Sequence, residues 1–459
     1  MTLAAGSPKQ KGLLQLVLSC FSPSRTFVLC VCGFLAWVWL QYRAPTGLSS
    51  SRGIEDSAQP TRREDAAPTE SSRRRRSRLQ SFPPSKAWAP EITHFQNVEE
   101  WYFTKRPNVQ VFAAGDGAPC YRIPAIIVTA RGTLLAFSEA RWGLGPAKCS
   151  DRTTQDIAVR RSTTFGRSWE HVGPAAGGVS NPVGNPVAIP LRAGRVVVVF
   201  HYHPFHCKTG DCGGEGRGNG VAYSDDDGIT WSPELNVTDD FGVAANGMPG
   251  PGAGIQLASG RLLVVSHMGP YVKDEISYSD DNGMSWATVQ GTDFYGMDEP
   301  TFAEVADNEV LLIMRHLDEP YTGKAFSRST DGGLTWSGMH FHPALVGPIC
   351  QASLATLGDG IMLFANPANP YKRNQISVKA SVDAGRSWKL HLVVERLGTF
   401  GYSSLVNGLI VKDRMLTGIL FEASELGDID FRLFRYNITR AKLGRSRALS
   451  ESEPRIAGE

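Results

Sequence analysis

The sequence has no marked excess of charge of either sign. Its 459 residues include 47 Lys and Arg against 45 Asp and Glu, which gives a formal net charge of +2. Nucleic-acid-binding domains usually carry a clustered basic excess that neutralises phosphates. The balance therefore argues against a nucleic acid as the partner of this chain.

Long helical patterns are missing from the main body of the chain as well. Between residues 109 and 440, no segment with helical periodicity is longer than two turns. Short apolar runs bounded by Gly and Asp recur instead, at 125–129, 134–137, 196–200, 262–266, 310–314, 361–364 and 416–421. Runs of this length that are rich in Val and Ile are typical of strands. The body is therefore predicted to be an all-β domain.

Cysteine is scarce, and it does not form a metal-binding pattern. The body contains five cysteines, Cys120, Cys149, Cys207, Cys212 and Cys350. An odd number cannot pair completely, although Cys207 and Cys212 are close enough to form a small disulfide loop. His201, His203 and His206 precede that pair, but no Cys-x-x-Cys pair or second cluster accompanies them. The sequence therefore predicts no metal site and no cofactor.

The one long apolar run is short for a membrane span. Residues 27–40 would cover about 21 Å as a helix, against the ~30 Å of a hydrocarbon core. With two further residues as an interfacial end, we predict a transmembrane signal anchor at 27–42 after a cytoplasmic tail at 1–26. Trp37 and Trp39 resemble an aromatic belt. A cleaved signal peptide is the alternative, but no Ala-x-Ala cleavage site follows closely.

The flanks of the body differ from it in composition. Residues 43–108 are rich in Ser, Pro, Arg and acid and have few aliphatic side chains, so we predict a disordered stem. The four arginines at 73–76 could be solvated charge or a processing site. A second disordered segment is predicted at 441–459. The glycosylation sequons at Asn236 and Asn437 indicate a lumenal or extracellular domain at a secretory-pathway membrane: lysosome, Golgi or cell surface.

An octapeptide of the form Ser-x-Asp-x-Gly-x-Ser/Thr-Trp recurs along the body. Four copies begin at Ser224, Ser279, Ser329 and Ser381. A fifth copy, which begins at Ser162, has Thr164 where the others have Asp. The starts lie roughly fifty to sixty residues apart, a spacing typical of propeller blades with four short strands each. The sequence therefore predicts a β-propeller.

The fixed positions of the octapeptide suit a tight turn between two strands. The Asp is expected to accept hydrogen bonds from backbone N–H groups, the Gly to adopt a positive φ, and the Trp to bury its ring beneath the turn. A calcium role is disfavoured, because one Asp cannot supply the six to eight oxygens that calcium needs. The repeats thus predict architecture, and the chemistry must come from other residues.

Three arginines adjoin strand-like runs far apart in the sequence. They are Arg122, Arg315 and Arg373. In a propeller, strands of different blades converge on one central mouth, so these side chains could meet there. Converging guanidiniums would bind a carboxylate through charge-assisted, bidentate hydrogen bonds. The alternative for each arginine taken alone is an ordinary surface charge.

Tyr121-Arg-Ile-Pro124 ahead of the first octapeptide, together with the repeats, is similar to the exo-α-sialidase (neuraminidase) family. The resemblance covers roughly residues 113–436. Among animal members the lysosomal type is the most similar, on the stretches 131–141, 249–256, 364–370 and 401–405. The resemblance implies a six-bladed β-propeller.

The same resemblance implies a role for particular residues. Arg122, Arg315 and Arg373 would hold the sialic acid carboxylate, Tyr402 would be the nucleophile, and Glu299 would take its proton. Asp151 would be the general acid and base, Glu422 would brace Arg122, and Arg141 would lie at the substrate together with Glu139. Asp156 is the alternative to Asp151, and Asp298 the alternative to Glu299.

These residue types suit an acidic sugar. A negatively charged nucleophile would be repelled by the carboxylate on the anomeric carbon, whereas a neutral tyrosine would not. The resemblance thus implies retaining hydrolysis of terminal α-linked sialic acids on glycoproteins, oligosaccharides and glycolipids such as gangliosides. The alternatives are a trans-sialidase and a catalytically weak sialic acid-binding propeller. The expected partners are sialylated glycoconjugates and, through the N-terminal segment, a membrane.

Overall fold

The computed structural model describes residues 108–436 except for 179–180, 203–217, 245–246, 269–271, 318–322, 359, 408 and 412–413. The predicted anchor, the stem, the C-terminal tail and the Cys207–Cys212 pair lie outside the described residues. Within the described part of the chain, no helix is long and apolar enough to span a membrane.

Strands account for nearly all of the regular structure. After β1 (Val109–Phe112), blade 1 contains β2 (Cys120–Val128), β3 (Leu134–Arg141), β4 (Gln155–Ser162) and β5 (Glu170–Gly177). Blade 2 contains β6 (Val183–Pro190), β7 (Val196–Tyr202), β8 (Gly218–Ser224) and β9 (Leu235–Asn236). Two short strands follow, β10 (Met248–Pro249) in blade 3 and β11 (Gly252–Ala253), which returns to pair with β6.

The next three blades follow in chain order. Blade 3 adds β12 (Ile255–Gln256), β13 (Leu262–Met268), β14 (Lys273–Ser279), β15 (Ala287–Thr288) and β16 (Phe294–Tyr295). Blade 4 contains β17 (Met297–Ala306), β18 (Glu309–His316), β19 (Gly323–Ser329) and β20 (His340–Val346). Blade 5 contains β21 (Ser353–Gly358), β22 (Ile361–Pro367), β23 (Ile376–Ser381) and β24 (Lys389–Glu395).

The last blade takes a strand from each end of the body. Blade 6 contains β25 (Ser403–Leu405), β26 (Leu409–Val411), β27 (Arg414–Glu422) and β28 (Ile429–Tyr436). Its outer strand is β1, which pairs antiparallel with β28 through Val109 and Phe431. Inner strands of neighbouring blades, such as β17 and β21 or β25 and β2, lie in contact. The predicted all-β, six-bladed propeller is therefore confirmed, and its ring is closed by main-chain hydrogen bonds.

The octapeptides form the turns between the third and fourth strands of blades 1 to 5. Asp226 Oδ1 accepts the N–H groups of Ile229 (3.1 Å) and Thr230 (2.9 Å), and Gly228 has φ 81°. In the copy without Asp, Thr164 Oγ1 accepts the N–H of Ser168 at 2.9 Å, so a hydroxyl replaces the carboxylate. Blade 6 has no such turn to close, because β1 supplies its outer strand. Five octapeptides are therefore enough for six blades.

Apolar residues fill the space between adjacent blades. All seven of the predicted apolar runs lie on strands, although the first one ends a residue beyond β2. Phe137 of blade 1 and Phe200 of blade 2 belong to one fully buried cluster, for example. This packing holds the inner ends of the strands in a fixed arrangement, and the candidate site is built there.

Candidate active site

The predicted site residues lie at strand ends or in connections on the face opposite the octapeptide turns. Arg122 is near the start of β2, Arg315 is near the end of β18, and Glu299 is on β17. Arg373 lies between β22 and β23, and Tyr402 immediately precedes β25. Residues from blades 1, 4, 5 and 6 therefore contribute to one site.

Tyr402 and Glu299 form a buried hydrogen-bonded pair. The phenol of Tyr402 donates to Glu299 Oε1, and Arg315 Nη1 donates to Glu299 Oε2. Arg315 Nη1 is also 3.2 Å from Tyr402 Oη. The Glu299 carboxylate thus lies between a phenol and a guanidinium. It can accept the phenolic proton, and Arg315 balances its negative charge until it does.

The electrostatics of this pair favour a neutral phenol and an ionised carboxylate. Burial, followed by the charge of Glu299, raises the pKa of Tyr402 well above its usual range. Burial alone would raise the pKa of Glu299 too, but the charges of Arg315 and His267 hold that pKa below its usual value. The resting state is therefore the one required for proton transfer from Tyr402 to Glu299.

Glu299 has a backbone conformation that is rare for a residue with a side chain. Its φ is 38°, in the left-handed region, and its N–H donates to Asp298 Oδ1 at 3.0 Å. Asp298 in turn lies 3.6 Å from His267 Nε2. Such conformations cost about 1–3 kcal/mol and persist where their surroundings hold them. Asp298, the alternative to Glu299, thus contacts the Glu299 backbone, whereas Glu299 contacts the phenol.

Glu422 connects blade 1 to blade 6. Its Oε1 accepts Arg122 Nε at 2.6 Å, and its Oε2 accepts the N–H of Tyr402 at 2.9 Å. The Arg122 guanidinium is 4.1 Å from the centre of the Phe400 ring and 5.3 Å from that of Tyr402. The position of the first arginine is therefore fixed relative to the phenol by a shared carboxylate and by stacking.

Arg373 completes the group of three guanidiniums. Its guanidinium carbon is 5.7 Å from the centre of the Tyr402 ring. Its Nη1 donates to Phe400 O at 3.1 Å and its Nη2 donates to Ile349 O at 2.9 Å. The three predicted arginines thus surround a single phenol, where they can attract and orient a carboxylate.

Asp151 lies at the edge of this group, on the connection between β3 and β4. Its Oδ1 is 2.6 Å from Arg141 Nη1 and 3.8 Å from Arg122 Nη1, and its side chain is 81% exposed. Desolvation raises its pKa, but Arg141 and Arg122 outweigh that effect and hold the pKa below its usual value. The alternative, Asp156, instead accepts the indole N–H of Trp142 at 2.9 Å.

Arg141 is buried next to Asp151. The sequence analysis places it at the substrate, but its side chain is only 2% exposed. Its Nε and Nη2 donate to Glu139 Oε2 at 2.9 and 2.5 Å, and its Nη1 donates to Cys149 O and Asp151. These contacts occupy the guanidinium within the protein. Arg141 therefore contacts Asp151 at the edge of the site, and its place at the substrate stays a prediction.

Lys324 is a supporting residue that the sequence analysis does not identify. It lies on β19, is 3% exposed, and donates from Nζ to Pro348 O (3.1 Å) and Cys350 O (2.5 Å). Burial lowers its pKa to about 8. The segment that it holds also binds Arg373 through Ile349 O. The only sequence signal is a charged residue within a predicted strand, which does not distinguish a buried lysine from an exposed one.

The same segment reaches the strand beyond Tyr402. Gln351 Nε2 donates to Ser403 O at 3.0 Å, and Ser403 N donates to Gln351 Oε1 at 3.1 Å. Lys324 thus supports the backbone that positions both Arg373 and the strand that follows Tyr402.

For the sialoside that the family resemblance implies as substrate, replacing Lys324 with Met is expected to lower kcat/KM at least about tenfold, with KM raised, because two buried carbonyls lose a charged donor. Lys379→Met is the matched control. Lys379 is half-buried, and its Nζ donates to Ala344 O (2.8 Å) and Val346 O (3.5 Å), which precede the 348–351 segment and are not part of it. The Lys379→Met variant should have a lower melting temperature and an unchanged KM. Equal KM values for the two variants would contradict the supporting role of Lys324.

The described residues contain no group of three or more His, Cys, Asp or Glu side chains placed to hold a metal ion. Of the cysteines among them, Cys350 is free and buried, and Cys120 forms a disulfide with Cys149. The sequence analysis leaves the pairing of these three open.

Comparisons with known proteins point in one direction. Residues 132–409 match the profile of the BNR repeat-like domain family. The chain is 30% identical over 324 residues to the sialidase of Micromonospora viridifaciens, which covers 63% of this chain and 48% of that protein. It is 27% identical over 372 residues to the sialidase of Bacteroides fragilis, which covers 71% of this chain and 64% of that protein.

Solved structures give a matching result. A Hadza microbial sialidase superposes with a TM-score of 0.62 at 28% identity, over 72% of this chain and 68% of the other. Trypanosoma rangeli sialidase in complex with the inhibitor DANA superposes with a TM-score of 0.59 over 74% of this chain and 58% of the other. At 19% identity this second likeness supports the fold alone.

Proposed function

We propose, from the premise that this chain belongs to the BNR repeat-like domain family, that it is an exo-α-sialidase, a hydrolase that releases terminal α-linked sialic acids. The observation that carries the proposal is the phenol of Tyr402, which is hydrogen-bonded to buried Glu299 and surrounded by the guanidiniums of Arg122, Arg315 and Arg373. The similarity to microbial sialidases supports the same reaction class.

In the proposed first step, the three guanidiniums bind the carboxylate of the sugar and bring its anomeric carbon to Tyr402. The phenolic oxygen attacks that carbon while Glu299 takes the proton. Asp151 donates a proton to the leaving oxygen, so that the glycosidic bond breaks without releasing an alkoxide. The arginines also stabilise the charge that develops around the oxocarbenium-like transition state.

In the proposed second step, Asp151 accepts a proton from water, which attacks the anomeric carbon. Glu299 returns the proton to the departing Tyr402 oxygen. Two inversions at one carbon give net retention. The proposal thus assigns to the described residues a nucleophile, its base, a separate acid and base, and an anion-binding group.

The test is incubation of the purified protein with an α-sialyl fluorogenic substrate, with and without lactose. Release without lactose, with the α-anomer appearing first in time-resolved NMR, supports a retaining hydrolase. Formation of sialyl-lactose in preference to free sialic acid would indicate a trans-sialidase. Binding without release would indicate a sialic acid-binding propeller and would overturn the proposal.

The pH dependence should depend on Arg141. A general acid must be protonated, so the alkaline limb of kcat/KM for a substrate with a poor leaving group should report the pKa of Asp151. Arg141 lowers that pKa, and its removal raises it. In Arg141→Gln we expect the alkaline limb to move to higher pH by about one unit or more.

Arg152→Gln is the control for this shift, because Arg152 is an exposed cation next to Asp151 whose side chain is not part of the Arg141–Asp151 pair. It should leave the limb nearly unmoved. An unchanged limb in Arg141→Gln, or one displaced to lower pH, would show that Asp151 is not the group that titrates.

We further propose a lumenal or extracellular location, with residues 27–42 as the membrane anchor and sialylated glycoproteins and glycolipids as substrates. Asn236 of the first sequon is exposed, which supports access for glycosylation. We also propose that, among animal sialidases, this chain is most similar to the lysosomal type. Subcellular fractionation combined with N-glycan removal tests it, and an unglycosylated protein in the cytosolic fraction would refute it.

A further inference from the structure

We propose that the Cys120–Cys149 disulfide is a clamp that holds Asp151 in position for proton transfer, and that its reduction disables the acid step. The inference rests on the proposed function, since it concerns the residue assigned there as acid and base. It also provides a redox-sensitive control over the proton transfers assigned to Asp151.

The disulfide links the two segments that carry catalytic groups in blade 1. Cys120 begins β2, two residues before Arg122, and Cys149 lies two residues before Asp151. The two Cα atoms are 5.4 Å apart, although the cysteines are 29 residues apart in sequence. The disulfide therefore gives Asp151 a short covalent connection to β2, the strand that carries Arg122.

One end of the clamp is buried within the blade 1 sheet. Cys120 is fully buried and pairs with Arg141 in the β2–β3 ladder, and the next residue donates its N–H to Gly427 O at 3.0 Å. Cys149 Sγ lies 3.8 Å from Leu426 O. A side chain at Gly427 would collide with the Cys120 sulfur, so the crosslink fills the space beneath the β27–β28 turn.

The other end lies in a connection that is held mainly by short turns of its own, such as the hydrogen bonds from Ser150 N to Ala147 O and from Thr153 N to Ser150 O. Residues 142–154 join β3 to β4, and most of the side chains between Trp142 and Lys148 are exposed. The connection is joined at its ends by the Trp142 N–H to Thr154 O hydrogen bond (2.9 Å). Near the middle, Arg141 Nη1 donates to Cys149 O at 2.5 Å.

Packing does not hold Asp151 itself, because its side chain is largely exposed. Its closest partner is Arg141, which donates to the Asp151 carboxylate (2.6 Å) and to Cys149 O (2.5 Å), and the disulfide adds a covalent restraint to the same segment. A covalent bond two residues away is the stronger restraint. A displacement of about 1 Å can reduce a rate a hundredfold, so this restraint matters for catalysis.

Opening the clamp is ordinary thiol–disulfide exchange. A dithiol reductant transfers two electrons and two protons to the S–S bond, which gives two thiols, and the reductant becomes its cyclic disulfide. The exchange proceeds through a mixed disulfide at one sulfur. Cys149, which is partly exposed, is the accessible sulfur, whereas Cys120 is buried.

The first experiment compares two substrates in the Cys120→Ser/Cys149→Ser double variant. With sialyl-lactose, whose leaving group needs a proton, we expect kcat/KM, which reports the step that breaks the glycosidic bond, to fall about tenfold to a hundredfold. With an aryl sialoside that has an acidic phenol as leaving group, the fall should be less than about threefold, because bond cleavage there needs little help from an acid. Equal losses on both substrates would overturn the proposal.

A double-mutant cycle identifies the residue through which the clamp acts. In an Asp151→Asn background, loss of the disulfide should have no further effect on sialyl-lactose turnover, because the group that it positions is already absent. A full additional loss would mean that the disulfide supports the fold in general. Melting temperatures of all four proteins separate unfolding from loss of positioning.

The second experiment uses dithiothreitol on the wild-type protein. Sialyl-lactose turnover should fall on reduction and return on reoxidation, and the double variant should be insensitive to the reagent. If the double variant loses activity equally, the sensitive cysteines are elsewhere, and the assignment to Cys120 and Cys149 is wrong.

A third readout does not depend on sialidase activity. Reduction should speed amide hydrogen exchange in residues 142–154, measured by mass spectrometry, and leave exchange in β17 and β18 unchanged. Unchanged exchange in 142–154 overturns the clamp whatever the enzyme does. Faster exchange there in a protein that cleaves no sialoside would instead reject the proposed function and leave the clamp in place.

Discussion

Replacing Tyr402 with Phe should lower kcat by at least about a thousandfold, since loss of a covalent nucleophile can reduce turnover by up to about a millionfold. The aromatic ring is retained, so the surfaces beside Arg122 and Arg373 remain. We therefore expect the Kd of a non-hydrolysable sialic acid analogue to change by less than about threefold. Steady-state kinetics and calorimetric binding measure the two quantities.

The control for this prediction is Tyr371→Phe. Tyr371 is an exposed tyrosine in the same β22–β23 connection as Arg373, and its hydroxyl has no assigned part in the reaction. It should keep kcat within about twofold, as surface substitutions usually do. A Tyr402→Phe enzyme with wild-type turnover would remove Tyr402 from the mechanism.

Replacing Arg315 with Ala should damage binding and turnover together. The variant loses one group that binds the carboxylate, and it leaves the buried Glu299 without its nearest cation. The pKa of Glu299 then rises, because burial is opposed by less positive charge. A protonated Glu299 cannot accept the Tyr402 proton. We expect kcat/KM to fall by about a hundredfold or more, since removing one partner of a buried charge pair costs 2–5 kcal/mol.

Arg315→Lys separates the two effects. It keeps a positive charge near Glu299 but loses the planar, bidentate donor, so KM should stay high while kcat recovers in part. If Arg315→Ala changed only KM, Arg315 would serve binding alone, and its link to the Glu299–Tyr402 pair would be wrong.

The sequence predicted the architecture because one octapeptide makes one kind of turn. Asp226 and Gly228 show why: a carboxylate that accepts adjacent amides and a positive φ define a tight turn between two strands. The number of octapeptides therefore indicates the number of blades that contain this turn. The sixth blade has no octapeptide, because β1 from the other end of the body supplies its outer strand. The prediction of six blades therefore depended on the family resemblance alone.

The candidate site was predictable for residues that lie next to a recognisable strand-like run. The three arginines adjoin apolar strands, and the structure brings all of them to Tyr402. Arg141 comes from the family resemblance alone, and its burial against Glu139 and Asp151 is visible only in the structure. Burial of a charged side chain depends on contacts between strands, and linear spacing does not record them.

Two supporting features could not be read from the sequence for the same reason. The bond between Cys120 and Cys149 joins β2 to a connection 29 residues later, and the odd cysteine count leaves several pairings open. Lys324 binds carbonyls on the next blade-to-blade segment. Each depends on a tertiary contact between two segments. The number of residues between such segments varies with loop length, so sequence spacing does not reveal the contact.

Trapping the covalent intermediate tests the central claim most directly. The reagent is a sialosyl fluoride with a second fluorine next to the anomeric carbon, which slows breakdown of the intermediate because it disfavours positive charge in the transition state. Peptide mass spectrometry of the treated protein should find the added sugar on Tyr402, and Tyr402→Phe should remain unlabelled. Labelling of Glu299 or Asp151, or turnover of the reagent with no adduct on any residue, would contradict an active site organised around a phenol among three guanidiniums.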